Sequence, residues 1–558
     1  MKKNSKVMSE DFKLYENGKN WNNRLYPAYY NTLNVNERMY AGDQWHGVES
    51  NGLPTPVFNI FKRIINYYVS AIMAQKTSVQ YSSDDVNDDP MVDAHSSMLN
   101  SVQARIFENN KMDDQLRKIL LDAALSGDAC TYARFDPNVD SGSKVKGDIV
   151  WETIDGANVF FGNPNDNRIN FMGKPIQPYI LLSFREMVSD LKKEAKENKQ
   201  RKDVINNIVS DNDNEYEVGD RGRIELDSND ESAKARVVMK FYPKDVGGKT
   251  TIMCRKSTRS AVIKEEWDTK MPIYSIAWMN WDLRKNSYHG QAPGTGLVPN
   301  QIYVNKQFAL IQLYTMRMAI PKLIYDKSRM AHPSNRVGEA IGIDTSTGGS
   351  VFDVANYLNP GQMSGQVMGV IDSVFSYTKE TMGATDAVMG DVKPENNQAI
   401  ISTIQQSVVP LENVRSHMYQ LIEDMGNINN AMMAAYYGKR KMLTEVVEGE
   451  IMSTEFDFKT LKTMRYKIKA DVGPSTYVSE LTNMTTLDNL LLNKHITFKQ
   501  YLDQAPSGKI PGQAKLLGEE KVKEKLQQEM MARQQQAEQQ AQQYQMQMEQ
   551  QKMMQGQG

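Results

Sequence analysis

Tyr288-His289-Gly290-Gln291-Ala292-Pro293-Gly294-Thr295-Gly296-Leu297-Val298-Pro299-Asn300-Gln301-Ile302-Tyr303-Val304-Asn305 is the stretch from which the fold of this chain is read. Gly290, Gly294 and Gly296 permit a sharp backbone entry that residues with side chains resist. Pro299 then suits the first turn of a helix, where its missing N–H costs nothing. Gln301 and Asn305, four residues apart, fall on one face of that helix. The spacing predicts a helix over Leu297–Ile320. Gln301, Asn305, Lys306, Gln312 and Arg317 interrupt its apolar run, so no membrane span is expected there.

Downstream, a stretch of loops and short strands leads to predicted helices over Ser364–Met382 and Ala399–Tyr437. Tyr466, Ile468 and Ala470 share one face of a strand. Two short helices follow, one over Val478–Leu492 and one opened by a capping box of Thr497 and Gln500. From Glu519 onward the chain is rich in Gln and Met, ending QQAQQYQMQMEQQKMMQGQG. That composition suits an exposed helix or a disordered tail and lacks heptad regularity. No internal repeat is present.

Upstream, Trp21, Tyr26, Tyr29, Tyr30, Tyr40 and Trp45 mark an aromatic, polar opening. Pro56 is expected to start a helix whose Val57, Phe61, Ile64, Ile65, Tyr68 and Ile72 form one apolar stripe. Helices are predicted over Met91–Glu108 and Asp113–Ser126, the second stopped by Gly127. Strands are predicted over Cys130–Phe135 and Ile149–Ile154. A charge-rich helix is expected between Arg185 and Ile208. There Glu194, Glu197 and Asp203 break the basic run, favouring a solvated face over a nucleic-acid patch. An acidic loop, Asp211–Asp230, precedes a β-hairpin in which Val237, Met239 and Phe241 alternate with Val238, Lys240 and Tyr242. Gly247-Gly248 turns that hairpin into Thr250–Arg255.

At 558 residues the chain exceeds one simple core and predicts about two to four domains or subdomains. Apolar residues at 40% and charged residues at 24% are ordinary for a folded protein. A net charge of -2 argues against tight grip on DNA, which needs cations to replace condensed counterions. Cys130 and Cys254 make no disulfide framework, which points to synthesis in a reducing cytoplasm. The basic start, MKKNSKVMSEDFKLYENGKN, has no apolar run behind it, so no signal peptide is expected.

Several catalytic signatures fail. Gly248-Lys249-Thr250 has Pro243 where a phosphate-binding loop needs glycine, and it turns a hairpin instead of opening a helix. Gly294-Thr295-Gly296 is followed by Pro299 where a dinucleotide fingerprint needs its third glycine. The histidines 46, 95, 289, 332, 417 and 495 are scattered, without zinc spacing. Asp84, Asp85, Asp88 and Asp89 lack the spacing of a calcium loop and read as a solvated acidic loop. No nucleophile stands with its base, and no G-x-S-x-G elbow exists. No catalytic, cofactor-binding or metal-ligating residue is assigned, and no enzymatic activity is expected.

The run from Tyr288 to Asn305 resembles the segment of phage portal proteins in which a glycine-rich turn enters the first stem helix. Three further matches follow the family's order. Thr381-Met382-Gly383-Ala384-Thr385-Asp386-Ala387-Val388-Met389-Gly390, followed by Asn396-Asn397-Gln398-Ala399-Ile400, resembles the tunnel loop and its lead into the tunnel helix. Here Asn397-Gln398 replaces the family's usual Ser-Gly. Arg38-Met39-Tyr40-Ala41-Gly42-Asp43-Gln44-Trp45, with Leu53-Pro54 and Asn59, is similar to the amino-terminal signature. Val472-Gly473-Pro474-Ser475 resembles the return of the chain into the wing. The resemblance covers Arg38 to Ala505, and its structural signature comprises Gly290, Gly294, Gly296, Gln301, Asn305, Gly42, Asp43 and Trp45.

This resemblance implies an α+β fold with an α/β wing, long stem and tunnel helices, a small α/β clip, a helical crown and a Gln-rich tail. The wing would take residues 1–296, with its hairpin at 236–255. Residues 297–320 and 363–383 would be stem helices, with 321–362 the clip between them. The tunnel loop would be 384–398, the tunnel helix 399–438, the returning wing strands 439–476, the crown 477–518 and the tail 519–558. Predicted helices over Leu297–Ile320 and Ser364–Met382 would run about 36 and 28 Å. Leu323-Ile324-Tyr325 and Val351-Phe352 would suit clip strands that pair between neighbouring subunits. The family implies a ring, usually a dodecamer, at one capsid vertex of a virion built in the bacterial cytoplasm. It conducts double-stranded DNA driven by the large terminase subunit, and it meets head-completion and adaptor proteins, the major capsid protein and scaffold. Asp391, Lys393, Glu395, Asn396 and Asn397 would face DNA in the tunnel loop, Lys393 touching phosphate, with Gly383 and Gly390 as hinges. The rival expectations are a connector or capsid subunit without a channel, a nuclease using Asp84, Asp85 and Asp89, and a nucleic-acid module using Lys192–Lys202.

Overall fold

The computed structural model describes residues 9–25, 28–50, 52–73, 77–83, 90–140, 145–211, 233–319, 322–330, 346, 348, 350–358, 365–383, 409–447, 450–462, 466–472 and 486–505. Three helices open the chain: α1 (Glu10–Arg24), α2 (Tyr29–Ala41) and α3 (Ile60–Ile72). Strand β1 (Thr77–Ser83) and helices α4 (Pro90–Asn109) and α5 (Met112–Ser126) follow. Then come β2 (Asp128–Asp136), β3 (Asp148–Ile154), β4 (Val159–Phe161), the small pair β5 (Asn170–Phe171) and β6 (Lys174–Pro175), and β7 (Ile180–Met187). Helices α6 (Val188–Glu197) and α7 (Lys202–Asn206) precede β8 (Lys234–Val246), β9 (Lys249–Thr258), β10 (Val262–Asp268) and β11 (Ile276–Asn280). Next are α8 (Pro293–Ala319), β12 (Lys322–Tyr325), α9 (Val351–Val354), β13 (Ala355–Leu358), α10 (Gln366–Thr381) and α11 (Glu412–Tyr436). The hairpin β14 (Lys439–Val447) and β15 (Glu450–Asp457), strand β16 (Tyr466–Val472) and helix α12 (Phe498–Gln504) complete the described elements.

The fold is α+β, and strand alternation explains its layers. In the antiparallel sheet β11-β2-β3, Ala129, Ala133, Ala277 and Met279 face one way and Cys130, Ile276 and Trp278 the other. The first set packs with Phe61, Ile65, Leu120 and Met425, from α3, α5 and α11. The second meets Val159, Ile180, Leu182, Phe241 and Cys254 of the five-stranded antiparallel sheet β10-β9-β8-β7-β4. On that sheet's far side Phe12 and Tyr15 of α1 cover Phe160, Leu181 and Val238. The result is helices, sheet, sheet and helix in succession, so both sheets are buried on two faces where the layers overlap.

The chain divides into two compact units, Met1–Met73 with Thr77–Asp471, and Ala74–Lys76 with Val472–Gly558. In the second, residues 486–492 are helical, and Leu487, Tyr501 and Leu502 form a small apolar cluster. The predicted capping box opens α12, with Thr497 accepting from the Gln500 N–H and Gln500 reaching back to the Thr497 N–H.

Four local expectations need correction. Pro56 does not start α3: the Asn59 side chain caps Lys62 N at 2.8 Å, and Val57 stays 43% exposed instead of joining the stripe. The helix expected between Arg185 and Ile208 is the end of β7 plus α6 and α7, separated where Lys199 takes a left-handed φ of 57°. Val351-Phe352 begins the short α9, and the strand is Ala355–Leu358. It pairs antiparallel with β12 inside the chain, from Lys322↔Leu358 to Tyr325↔Ala355. Finally, α8 begins at Pro293, so Pro299 lies inside it and Gly294 and Gly296 are helical.

Candidate functional site

The entry to α8 is held by a buried carboxylate. Asp128, the first residue of β2, is fully buried, as is His289. Its Oδ1 accepts from Gly290 N at 2.6 Å and Asn280 Nδ2 at 2.7 Å. Its Oδ2 accepts from Tyr29 Oη at 2.9 Å and lies 2.6 Å from His289 Nδ1. His289 Nε2 lies 3.1 Å from Asn22 Oδ1, and its ring stacks on Tyr29 with centroids 3.9 Å apart. Burial, then the Asp128 charge, pushes the Tyr29 phenol well above its ordinary range, so it remains a proton donor to the carboxylate. All four contacts of the carboxylate are used. The buried Asp–His pair ties together α1, α2, β2, β11 and the Tyr288–Gly290 turn.

Two glycines of the quoted stretch are close-approach residues. A Cβ on Gly290 would stand 2.5 Å from Gly127 O and 2.8 Å from Asp282 O, and one on Gly294 would stand 2.6 Å from the Phe61 ring. Gly296 faces open space.

One turn further along α8, Gln301 and Asn305 share a face as expected, and both are 2% exposed. Gln301 Oε1 accepts from Phe61 N at 3.1 Å, while its Nε2 donates to Phe58 O at 2.6 Å and to Asn305 Oδ1 at 3.0 Å. Asn305 Nδ2 donates to Gln44 Oε1 at 2.5 Å. These amides satisfy the backbone that leads into α3. The amino-terminal signature lies beside them. Gly42 closes α2 at φ 92°, Trp45 Nε1 donates to Pro56 O at 2.9 Å, and Asp43 pairs with His46 at the surface. Two stretches separated by some 250 positions in the chain therefore form one polar seam.

Beyond Asn305, α8 has no buried residue among those whose side chains are described. It runs beside α10, tied by Asn300 Nδ2 to Thr378 Oγ1 at 3.1 Å and by an edge contact of Phe308 with Phe375. The pair shows apolar side chains to solvent: Tyr303 and Leu310, seven residues apart on one face of α8, and Val370 and Tyr377, likewise on α10. Leu310 is 58% exposed, Tyr377 67% and Phe352 in α9 79%. Soluble surfaces carry single exposed apolar residues freely, whereas clustering on two adjacent helices is characteristic of a surface that meets a partner.

The far end of α10 is anchored. Tyr68 Oη donates to Met382 O at 2.5 Å, and Gly383 takes φ 67° with its Cβ position 3.1 Å from Pro410 Cγ. Gly383 and Pro410 therefore lie side by side. Asp391, Lys393, Glu395, Asn396, Asn397 and Gly390 lie outside the described residues, as do Asp84, Asp85, Asp88 and Asp89. The predicted helix over Ala399–Tyr437 is described only from Val409, where a 3-10 turn through Pro410 precedes α11. Among the described residues no group of three or more His, Cys, Asp or Glu is placed to hold a metal, and no helix is long and apolar enough to cross a membrane.

The network of Asp128, His289, Asn22 and Tyr29 was not singled out from the sequence. Its only trace was position, since Tyr288-His289-Gly290 immediately precedes the helix. Compared with known proteins, the chain matches no family model and no curated protein.

Proposed function

We propose that this chain is a portal subunit, which assembles with copies of itself into a ring at one capsid vertex and conducts double-stranded DNA during packaging and ejection. The observation that carries this reading is the pair α8 and α10, which leaves the core together, ends in the strand pair β12–β13 and exposes apolar side chains along its length. In the portal reading the pair is the stem, the strands belong to the clip, and the exposed faces meet neighbouring subunits. A head-to-tail contact of this kind closes into a ring when its rotation divides the circle. The clip would meet the large terminase subunit and later the head-completion proteins. A net charge of -2 fits a channel that must release its duplex.

The segment 384–398, leaving beside Gly383, would carry Lys393 toward phosphate, with Asp391 and Glu395 limiting its grip. Electron microscopy of the purified protein tests the assembly. Rings with a central hole are expected, and monomers or solid bundles would overturn the reading. Deleting Asp391–Glu395 should leave rings intact and reduce DNA packaging or retention; heads that fill normally would remove the tunnel-loop assignment.

A further inference from the structure

Three turns and one helical segment bring lysines around a groove of about 1100 Å³ beside the tip of the β8–β9 hairpin. Lys174 follows Gly173 in the β5–β6 turn, and Lys249 follows Gly247 and Gly248. Lys270 takes a left-handed φ of 57° just after β10. Lys462 comes from the 3-10 segment that follows β15. Such conformations place a side chain at the outside of a tight bend, where it is free to reach a ligand.

The groove keeps its positive charge. Lys244 is the only one of its lysines with an ion-pair partner among the described residues, Glu266. Five lysines in the lining outnumber its two acids, Asp245, which accepts from Thr250 at 2.8 Å, and Asp268, which accepts from Thr251 at 2.5 Å. Lys174, Lys249 and Lys462 make no ion pair among the described residues, and Lys270 has only the face of the Tyr436 ring, 5.8 Å away. Asn430 Oδ1, buried in the floor, has no hydrogen-bond partner among the described residues and would accept from an amide of an incoming chain.

We infer that this groove receives the acidic segment 212–232 of a second copy of the chain. That segment holds eight carboxylates against two arginines, the strongest acidic excess near any folded element. Within one copy its two ends lie far from the groove. Asp211 N donates to Lys234 O at 3.2 Å, so the segment leaves and returns at the start of β8, whereas the groove lies at the other end. The strand spans about 40 Å. Twenty-one residues folded back on themselves reach roughly 35 Å at their midpoint. The midpoint is Gly222, flanked by Arg221 and Arg223, so only the basic tip would approach. The acidic flanks, Asp213 to Asp220 and Glu225 to Glu231, are the part a neighbour's groove would take. The inference rests on the ring reading and names one contact between adjacent subunits.

The test uses the full chain, assembled from an equal mixture of isotope-labelled and unlabelled copies, with carbodiimide cross-linking read by mass spectrometry. Mixed-isotope links from Lys174, Lys249, Lys270 or Lys462 to carboxylates within 212–232 are expected. Changing those four lysines to Glu should raise the concentration needed for assembly about tenfold at low salt, and less at high salt. Converting Asp213, Glu215, Glu225 and Asp227 to Lys in the same chain should restore it. The lysines are exposed, so a melting curve matching the parent shows that the loss is one of contact. Rings that form without mixed links overturn the inference and leave the portal reading standing. Links confined to single copies, or groove lysines protected by duplex DNA instead, overturn it equally. Absence of any assembly defeats the ring reading and this inference with it.

Discussion

Replacing Asp128 is the sharpest test of how the helix entry is held. Asp128→Ala leaves four donors facing an apolar gap: Gly290 N, Asn280 Nδ2, Tyr29 Oη and His289 Nδ1. Each buried, unpaired donor costs about 1–3 kcal/mol, partly recovered by water entering the space. Four such donors, partly rehydrated, give an expected loss of about 3–5 kcal/mol. Asp128→Asn has the same shape and should cost less, roughly 1–2 kcal/mol. An amide nitrogen in the place of Oδ2 faces two groups able to adapt. Tyr29 can rotate its hydroxyl hydrogen, and His289 can move its proton to Nε2, which already lies 3.1 Å from Asn22 Oδ1. The assay is thermal unfolding by circular dichroism, with urea titration for the free energy. The Ala variant should melt about 6–10 °C below the parent, at about 2 °C per kcal/mol for a unit of this size. An Ala variant within 1 kcal/mol of the parent, or an Asn variant as damaged as Ala, would refute the argument that this carboxylate organises the entry.

On the helix pair, Leu310→Ser, Met316→Ser and Tyr377→Ser together should leave the melting temperature unchanged and weaken self-association. These side chains are 54–67% exposed and would each forfeit about 1 kcal/mol of burial in an interface, so roughly a hundredfold in assembly affinity. Concentration-dependent sedimentation reads this, and undiminished assembly would show that the apolar faces are not the contact. A pH effect is expected at Asp122, whose carboxyl burial, then Asp155 and Glu37, push up to about 7. In the folded chain it holds its proton well above the pH at which the unfolded chain releases it. Its contribution is thus fully present below the unfolded pKa near 3.8 and is lost as pH rises to about 7. Asp122→Asn should flatten that decline and exceed the parent by roughly 1–3 kcal/mol at pH 8. Equal stability of the two proteins at pH 5 and pH 8, measured by urea unfolding, would contradict it.

Long, strongly periodic elements were legible in the sequence. The hairpin β8–β9 follows from alternation and Gly247-Gly248, and the end of α5 follows from Gly127, left-handed at φ 91°. What misled was local chemistry with two outcomes. Pro56 is compatible with a helix start, but Asn59 supplies a stronger cap three residues on, and Gln301 takes the Phe58 carbonyl. Val351-Phe352 has strand composition, yet Asp353 accepts the Ser350 N–H at 2.9 Å and starts a helical turn, a bond no propensity scale anticipates. Buried polar groups were invisible for a different reason. Asp128 and His289 are 161 positions apart, and nothing in either neighbourhood distinguishes a buried carboxylate from a solvated one. Gln301 and Asn305 were found because both partners of that pairing lie on one helix.

The same contrast runs through the quoted stretch. Its residues answer to segments far away in the chain: Gly290 to Gly127 and Asp128, Gly294 to Phe61, Gln301 to Phe58, Asn305 to Gln44. A substitution at any of these breaks a contact that its local sequence does not reveal, which makes the pattern rigid. Gly296 stands apart, because its surroundings are open and a helical glycine there costs about 1 kcal/mol relative to alanine. Among the described residues nothing approaches Gly296 closely enough to explain that cost. The residue lies about two turns before Tyr303, where α8 first shows an apolar side chain to solvent, and in the proposed ring a close approach to it would come from a neighbouring subunit.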